Sequence, residues 1–262
     1  MSEAGVLLIH GLGGTQYDLG SLRRNLVNAG FGAHAIVLPG HGSRANDLRY
    51  VRAEDWLRAV RDKYRKLKRR YRTVHVLGIC MGGLLAIEAV KQEHHVNGVL
   101  IALAPPVFID GWATPWYRGL RHLLYRIPGV AMRMRVEEGE PFGIMNEQLR
   151  AIVRAKFARN ERFHYRWVPL ACIREVDRLR AMVVKRLENV ACQTLIVHAR
   201  HDELTSLRSA HYLLNGIGAA RARIVVLENS YHMICVDNDR DQVTQCVLRF
   251  LLESQGEPGV IR

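Results

Sequence analysis

The stretch VLGICMGG, at positions 76–83, decides the fold. The run TVHVL at 73–77 leads into the turn and is typical of a strand, and good helix formers (LLAIEAVKQE) follow it, so we predict a strand at 73–77 and a helix at 81–93. Glycines stand two places before and two places after Cys80, as in a turn that leaves no room for a nearby Cβ. The stretch therefore predicts a sharp strand-to-helix turn with a cysteine at its apex.

A cysteine at such a turn is a candidate nucleophile. The pattern G-x-C-x-G, after a strand and before a helix, is the context in which many enzymes present a reactive side chain. Cys80 would project at the positive end of the helix dipole. The N–H of Met81, the next residue, would face the oxyanion of an acyl-transfer intermediate. We predict Cys80 as catalytic and Met81 as one oxyanion donor.

A glycine-rich loop, HGLGG at 10–14, ends the first predicted strand, 5–10. Its glycines allow a backbone N–H, that of Leu12, to turn toward the same oxyanion, and Gly11 and Gly13 are predicted to contact substrate. A phosphate-binding loop is the alternative. The third glycine of G-x-G-x-x-G is missing, however, and no Lys-Ser/Thr pair follows, which disfavours a dinucleotide site.

A cysteine nucleophile needs a general base, and the base needs a carboxylate that orients it. Asp202 follows a predicted strand at 193–199, and His232 follows the next one, at 223–227. The order nucleophile, acid, histidine is the one expected for a hydrolase with this turn. We predict a Cys80–Asp202–His232 triad, with Glu203 as a nearby spare carboxylate and Tyr231 as a substrate contact.

Strands and helices alternate along most of the chain, which predicts an α/β fold with a mostly parallel sheet flanked by helices. Thr15 and Asp18 resemble a capping box that starts a helix running to about residue 29. The alternation stops at 105–187, which has helical segments and no clear strand. We predict a core formed by 1–104 and 188–262, with 105–187 as an inserted helical cap.

Composition narrows the class of protein. The chain has 262 residues, 48% of them apolar, and no apolar run long enough to span a bilayer. The N-terminus lacks a basic region before its apolar residues, so no signal peptide is expected. Five cysteines without paired spacing favour a reducing, cytoplasmic location, and no metal or other cofactor is expected.

The net charge is +13, and residues 107–187 hold 16 Lys/Arg against 8 Asp/Glu. A basic surface can indicate a nucleic-acid partner. The densest run, 61–72, keeps Tyr64, Leu67 and Tyr71 at helical spacing under its charges, which favours a solvated helix face instead. We therefore expect no nucleic-acid partner and no stable membrane insertion.

Together these stretches resemble the alpha/beta-hydrolase superfamily, and most closely its small bacterial carboxylesterases related to monoacylglycerol lipases. The similar stretches, which span most of the chain, are LLIHGLGGT, LPGHG, VLGICMGG, IVHARHDELTS and SYHMICVDNDRDQV. The resemblance implies a helical cap, a nucleophile–Asp–His triad, and Leu12 and Met81 as oxyanion donors. Those esterases have serine where this chain has Cys80. The turn alone also resembles polyhydroxyalkanoate synthases and dienelactone hydrolases, relatives with a catalytic cysteine.

Three functions follow from a cysteine at this turn. The first is an acyl hydrolase, a carboxylesterase or thioesterase acting on a small-molecule ester or thioester through a covalent acyl-enzyme. The second is an acyltransferase or condensing enzyme that passes an acyl group from acyl-CoA or an acyl carrier protein to an alcohol or amine, since a basic cap suits an anionic donor. The third is a Ser-to-Cys variant of a serine esterase, or a non-catalytic binder.

Overall fold

The computed structural model describes residues 3–127, 129–159, 161, 163–218 and 220–256. Six strands form one parallel sheet in the order β2-β1-β3-β4-β7-β8, and two short strands pair antiparallel in a second sheet. The strands are β1 (Ala4–Ile9), β2 (Gly32–Ile36), β3 (Thr73–Ile79), β4 (Leu100–Leu103), β5 (Arg135–Glu137), β6 (Trp167–Pro169), β7 (Thr194–Ala199) and β8 (Ala222–Leu227). The predicted mostly parallel α/β fold is confirmed.

Helices cover both faces of the main sheet. The helices of the described residues are α1 (Leu22–Asn28), α2 (Ala53–Lys68), α3 (Met81–Gln92), α4 (Arg121–Leu124), α5 (Val130–Arg133), α6 (Glu147–Ala158), α7 (Leu170–Val183), α8 (Leu207–Ile217) and α9 (Arg240–Ser254), of which α4 to α7 lie within residues 105–187. Successive strand residues point to opposite faces. Leu7 and Ile9 accordingly pack in the cluster that includes α2 and α3, while Val6 and Leu8 pack in the cluster that includes α1 and α9.

The register of the central strands sets where the functional loops begin. β1 lies between β2 and β3, so the connections from β1 and β3 leave the sheet where the strand order reverses. Ile9 pairs with Gly78, and Ile79 pairs with Leu103. The glycine loop after β1 and the turn after β3 therefore emerge side by side. The crevice between these two loops, outside the carboxyl ends of the strands, is where open α/β sheets bind their ligands.

Two expectations from the sequence were wrong. The first predicted helix is a short 3-10 helix, Gln16–Leu19, followed by α1, because Gly20 breaks the chain direction at φ 53°. Residues 105–187 do contain strands, since β5 and β6 pair antiparallel. Each has three residues, too few for an alternating pattern to be recognisable, and β6 ends at a proline.

Residues 105–187 are called the cap below, and their separation from the core as a domain stays a prediction. All five cysteines are described and free. Within the described ranges, no helix combines the length and the apolar character needed to cross a membrane.

Candidate active site

The turn after β3 holds Cys80 in a rarely populated backbone conformation. Cys80 stands between the end of β3 and the start of α3 with φ 55° and ψ −125°. Its N–H donates to the carbonyl of Leu103 at 2.9 Å, which fixes the turn to β4. A Cβ at Gly78 would lie 2.0 Å from the Gly82 carbonyl oxygen, and one at Gly82 would lie 2.2 Å from that of Ile9. Both glycines are therefore sterically required, and a strained residue held in this way is typical of functional sites.

Asp202 and His232 come together from the loops after β7 and β8. His232 Nδ1 donates to Asp202 Oδ2 at 2.7 Å, and both side chains are buried. The other carboxylate oxygen of Asp202 accepts from the N–H groups of Leu204 and Thr205, each at 2.9 Å. The carboxylate is thus held in one orientation against the imidazole.

Charge and burial act in opposite directions on this pair. Burial raises the pKa of Asp202, but the charge of His232 and its hydrogen bond outweigh that effect, so the pKa lies below its ordinary value. Burial lowers the pKa of His232, whereas Asp202 and the neighbouring Cys80 sulfur raise it well above its ordinary value. His232 Nε2 is buried and has no hydrogen-bond partner within the described ranges. That nitrogen is available for proton transfer beside Cys80.

Two further ionisable groups surround the pair. Glu203 accepts from the backbone N–H of His232 at 3.0 Å, and burial raises the pKa of its carboxyl. His198 Nε2 donates to the Thr205 carbonyl at 2.9 Å and lies 3.7 Å from Asp202, and burial lowers its pKa. Sequence reasoning identified Glu203 only as an alternative carboxylate, and it had no signal for His198 beyond its place in a strand.

The glycine loop lies directly against Cys80. A Cβ built on Gly11 would be 3.2 Å from the Cys80 Cβ and 3.7 Å from its sulfur. Among the described residues, the N–H groups of Leu12 and Met81 have no hydrogen-bond partner. These are the two backbone donors that the sequence predicted for an oxyanion hole. Their assignment as donors stays a prediction.

A cavity of about 550 Å³ lies beyond the glycine loop, under the cap. Most of its walls are apolar, and α6 supplies several of them, including Ile152 and Phe157. Asp18, which contacts Gly11, and Met233, which follows His232, also line it, whereas Cys80 and His232 do not. Gly13 instead lines a second, smaller cavity. The larger cavity therefore lies next to the site, although neither Cys80 nor His232 lines it.

Tyr231 does not line either cavity. Its N–H donates to Asp237, and its ring packs edge-to-face on Trp112 with 5.5 Å between ring centroids. Its predicted contact with substrate stays a prediction. Asp237, another carboxylate close to His232 in the sequence, is fully buried and accepts from the N–H groups of Met145 and Asn146, so it ties the histidine loop to the cap.

The fold and the turn define an α/β-hydrolase. The family model Hydrolase_4, described as serine aminopeptidase, S33, matches residues 2–239. The chain belongs to this family, and it carries Cys80 at the turn although the family description names a serine enzyme.

Individual relatives extend over nearly the whole chain. A thermostable monoacylglycerol lipase from Bacillus sp. (strain H-257) is 25% identical, over 96% of this chain and 92% of the relative. A carboxylesterase from Bacillus subtilis (strain 168) is 26% identical, over 95% and 92%. Among solved structures, one from the metagenome-derived lipolytic enzymes LipS and LipT superposes with a TM-score of 0.82 at 23% identity, over 96% of this chain and 94% of the other.

Proposed function

We propose that this protein is an acyl hydrolase of the carboxylesterase type, acting on small acyl esters through Cys80, His232 and Asp202. The observation that carries the proposal is the His232–Asp202 hydrogen bond of 2.7 Å beside a cysteine in a strained turn. The relatives described as a monoacylglycerol lipase and a carboxylesterase support ester hydrolysis, since each aligns with more than nine-tenths of this chain.

The mechanism begins with the thiolate of Cys80, whose proton has passed to His232 Nε2. The sulfur attacks the acyl carbonyl, and the N–H groups of Leu12 and Met81 stabilise the oxyanion. The C–O bond breaks, His232 protonates the departing alkoxide, and a thioester remains on Cys80. His232 then takes a proton from water, whose hydroxide attacks the thioester and releases the acid. Asp202 keeps the imidazole in one tautomer throughout.

A thioester intermediate leaves a second outcome open, because it can react with an alcohol or amine instead of water. Acyl transfer, and thioester donors such as acyl-CoA or an acyl carrier protein, stay predictions that rest on the cysteine and on the excess of basic residues at 107–187. The apolar cavity next to the site suits an acyl chain of moderate length. Chain-length preference is therefore a useful first readout of substrate class.

The proposal is tested with p-nitrophenyl esters from acetate to decanoate, following nitrophenol release and the intact mass of the protein together. We expect acylation at Cys80 with turnover. In Cys80→Ala we expect kcat to fall by about 10³-fold or more, as for other covalent hydrolases that lose their nucleophile. Cys246→Ser is the matched control, since Cys246 is a free, half-buried cysteine on α9.

The other outcomes separate the alternatives. A stable mass adduct that only an added alcohol or amine releases would indicate a transferase. Slow turnover by the cysteine enzyme with fast turnover by Cys80→Ser would indicate a site that favours serine. Activity that survives in Cys80→Ala would contradict the proposal.

A further inference from the structure

The glycine loop has three successive backbone N–H groups, and two of them are bound by side chains. The Gly11 N–H donates to Asp18 Oδ2 at 3.2 Å, and the Gly13 N–H donates to His41 Nε2 at 3.1 Å. Between them, the Leu12 N–H has no partner within the described part of the chain. The loop is therefore held on both sides of the Leu12 N–H, which remains available to a ligand.

His41 can accept from Gly13 only because it is neutral. Burial, together with the nearby His10, lowers the pKa of His41 to about 3. Its Nδ1–H donates to the Pro39 carbonyl at 3.2 Å, so Nε2 carries the lone pair. His10 has the same arrangement, since its Nε2 accepts from the Leu38 N–H at 3.1 Å and its Nδ1–H donates to the Gly11 carbonyl at 2.8 Å.

Asp18 connects the loop to the cap. Its second oxygen, Oδ1, lies 3.5 Å from Nδ1 of His164, and the carboxylate is 95% buried. Burial lowers the pKa of His164, but the Asp18 carboxylate, with Glu138 further off, raises it above its ordinary value. The next residue, Tyr165, donates its N–H to the Gly13 carbonyl at 2.8 Å. The cap therefore contacts the loop directly at Gly13 and reaches Gly11 only through Asp18.

We propose that Asp18 and His41 are positioning residues that hold the Leu12 N–H in place for the oxyanion, and that His164 of the cap acts through Asp18. The inference rests on the proposed function, because it concerns the same reaction. An oxyanion donor must lie within tenths of an ångström of its working position, and a displacement of about 1 Å can cost about 10²-fold in rate. Within the described residues, neither side chain is hydrogen-bonded to Cys80 or His232.

The test compares Asp18→Ala with Asp18→Asn, measuring kcat and KM separately on the best p-nitrophenyl ester. We expect kcat to fall about 10- to 100-fold in Asp18→Ala, less than the 10²- to 10³-fold known for full loss of a donor, with KM within threefold. Affinity for a trifluoromethyl ketone, which forms a tetrahedral adduct with the thiolate, should fall in parallel. Asp18→Asn should rescue most of the loss, since its amide oxygen can accept from Gly11.

The control is Asp55→Ala, which removes a carboxylate that accepts a backbone N–H from Arg52, at 3.0 Å, at the start of α2. It should leave kcat unchanged. Should Asp18→Ala fail to fold, the same test can be made at His41 by comparing kcat in His41→Leu and His41→Gln. Only glutamine keeps an acceptor near the position of Nε2.

Several results would overturn the inference. They are an unchanged kcat in a folded Asp18→Ala or His41→Leu variant, a raised KM without loss of kcat, and equal losses in the conservative and the apolar variants. Failure of the proposed function is distinct from these results, because the unsubstituted enzyme would then hydrolyse no ester and bind no ketone at Cys80.

Discussion

The two loops that flank Cys80 are held in place in different ways. The turn at 78–83 is fixed by its own backbone, since Gly78 and Gly82 leave no room for a Cβ and the chain adopts φ 55° between them. The glycine loop at 10–14 is held instead by side chains seven and 28 residues further on, and by a cap segment about 150 residues away. One loop is held by close backbone packing against the sheet, and the other by side chains and the cap.

This difference has a mechanistic consequence. The turn carries the proposed nucleophile and one proposed oxyanion donor, and both keep their geometry as long as the sheet is folded. The glycine loop carries the other donor, Leu12, and depends on contacts that a movement of the cap would alter, among them the Tyr165–Gly13 hydrogen bond. The loop is therefore one part of the site that a movement of the cap would reach, and the histidine loop, tied to the cap by Asp237, is another.

The largest expected effect on stability comes from disrupting the turn at 78–83. In Gly82→Ala, the new Cβ would meet the Ile9 carbonyl oxygen at 2.2 Å. Ile9 lies in β1 of the central sheet, and Gly82 lies in the first turn of α3. We expect a loss of about 3 kcal/mol or more in the free energy of unfolding, the range of severe overpacking. Urea denaturation followed by circular dichroism measures it.

Gly119→Ala is the matched control, since a Cβ there meets nothing within 4 Å. Gly119→Ala should change the free energy of unfolding by no more than about 0.5 kcal/mol, as other surface substitutions do. A Gly82→Ala variant as stable as Gly119→Ala would mean that the turn is not sterically fixed, and the contrast between the two loops would no longer hold.

Sequence prediction succeeded where structure is local. The turn at Cys80 was predicted from two glycines and a strand–helix boundary, and the alternation of strands and helices gave the parallel sheet. Asp18 was misassigned, because its spacing from Thr15 suggested a capping box, and Thr15 does accept from the Tyr17 N–H. The Asp18 carboxylate instead bonds to Gly11 and faces His164.

The remaining contacts of the glycine loop had no local signal. His41 stood out only as one residue of LPGHG, and nothing near His164 in the sequence relates it to a loop about 150 residues earlier. The three-residue strands β5 and β6 were missed for the same reason, since their pairing joins segments about 30 residues apart. Long-range contacts of this kind depend on the folded cap and are not encoded in spacing.

A smaller effect is expected from acid, and the part of it that arises at His41 concerns the glycine loop. The pKa of His41 is lowered to about 3 in the folded protein, against about 6.5 when unfolded. Below pH 6.5 the unfolded chain binds a proton that the folded one does not, so stability falls as pH decreases toward about 3. His41 alone should contribute a loss of about 2 kcal/mol between pH 7 and pH 5. His41→Gln should remove that part of the pH dependence, measured by urea denaturation at each pH.

The charged groups that influence His41 are His10, Asp18 and His164, and none of them changes in this variant. His211→Gln is the control, because His211 is an exposed histidine on α8. An identical pH dependence in His41→Gln and the unsubstituted protein would mean that His41 becomes protonated in the folded state, and it could not then accept from Gly13.

The smallest effect tests how strongly the cap is joined to the core next to the glycine loop. The Tyr165 hydroxyl donates to the Gly40 carbonyl at 3.0 Å and accepts from the Ser43 N–H at 3.1 Å, while its ring stacks on His41 with 6.1 Å between ring centroids. Tyr165→Phe keeps the ring and removes both hydrogen bonds. Because neutral hydrogen bonds contribute about 1 kcal/mol net, and the Ser43 N–H is exposed to water, we expect a loss of about 1 kcal/mol. Tyr50→Phe, at a tyrosine that is 79% exposed, should cost nothing measurable.

Should kcat fall in Tyr165→Phe with KM unchanged, the cap would influence the oxyanion loop through His41 as well as through Asp18; an unchanged kcat would restrict that influence to His164 and to the backbone bond at Gly13.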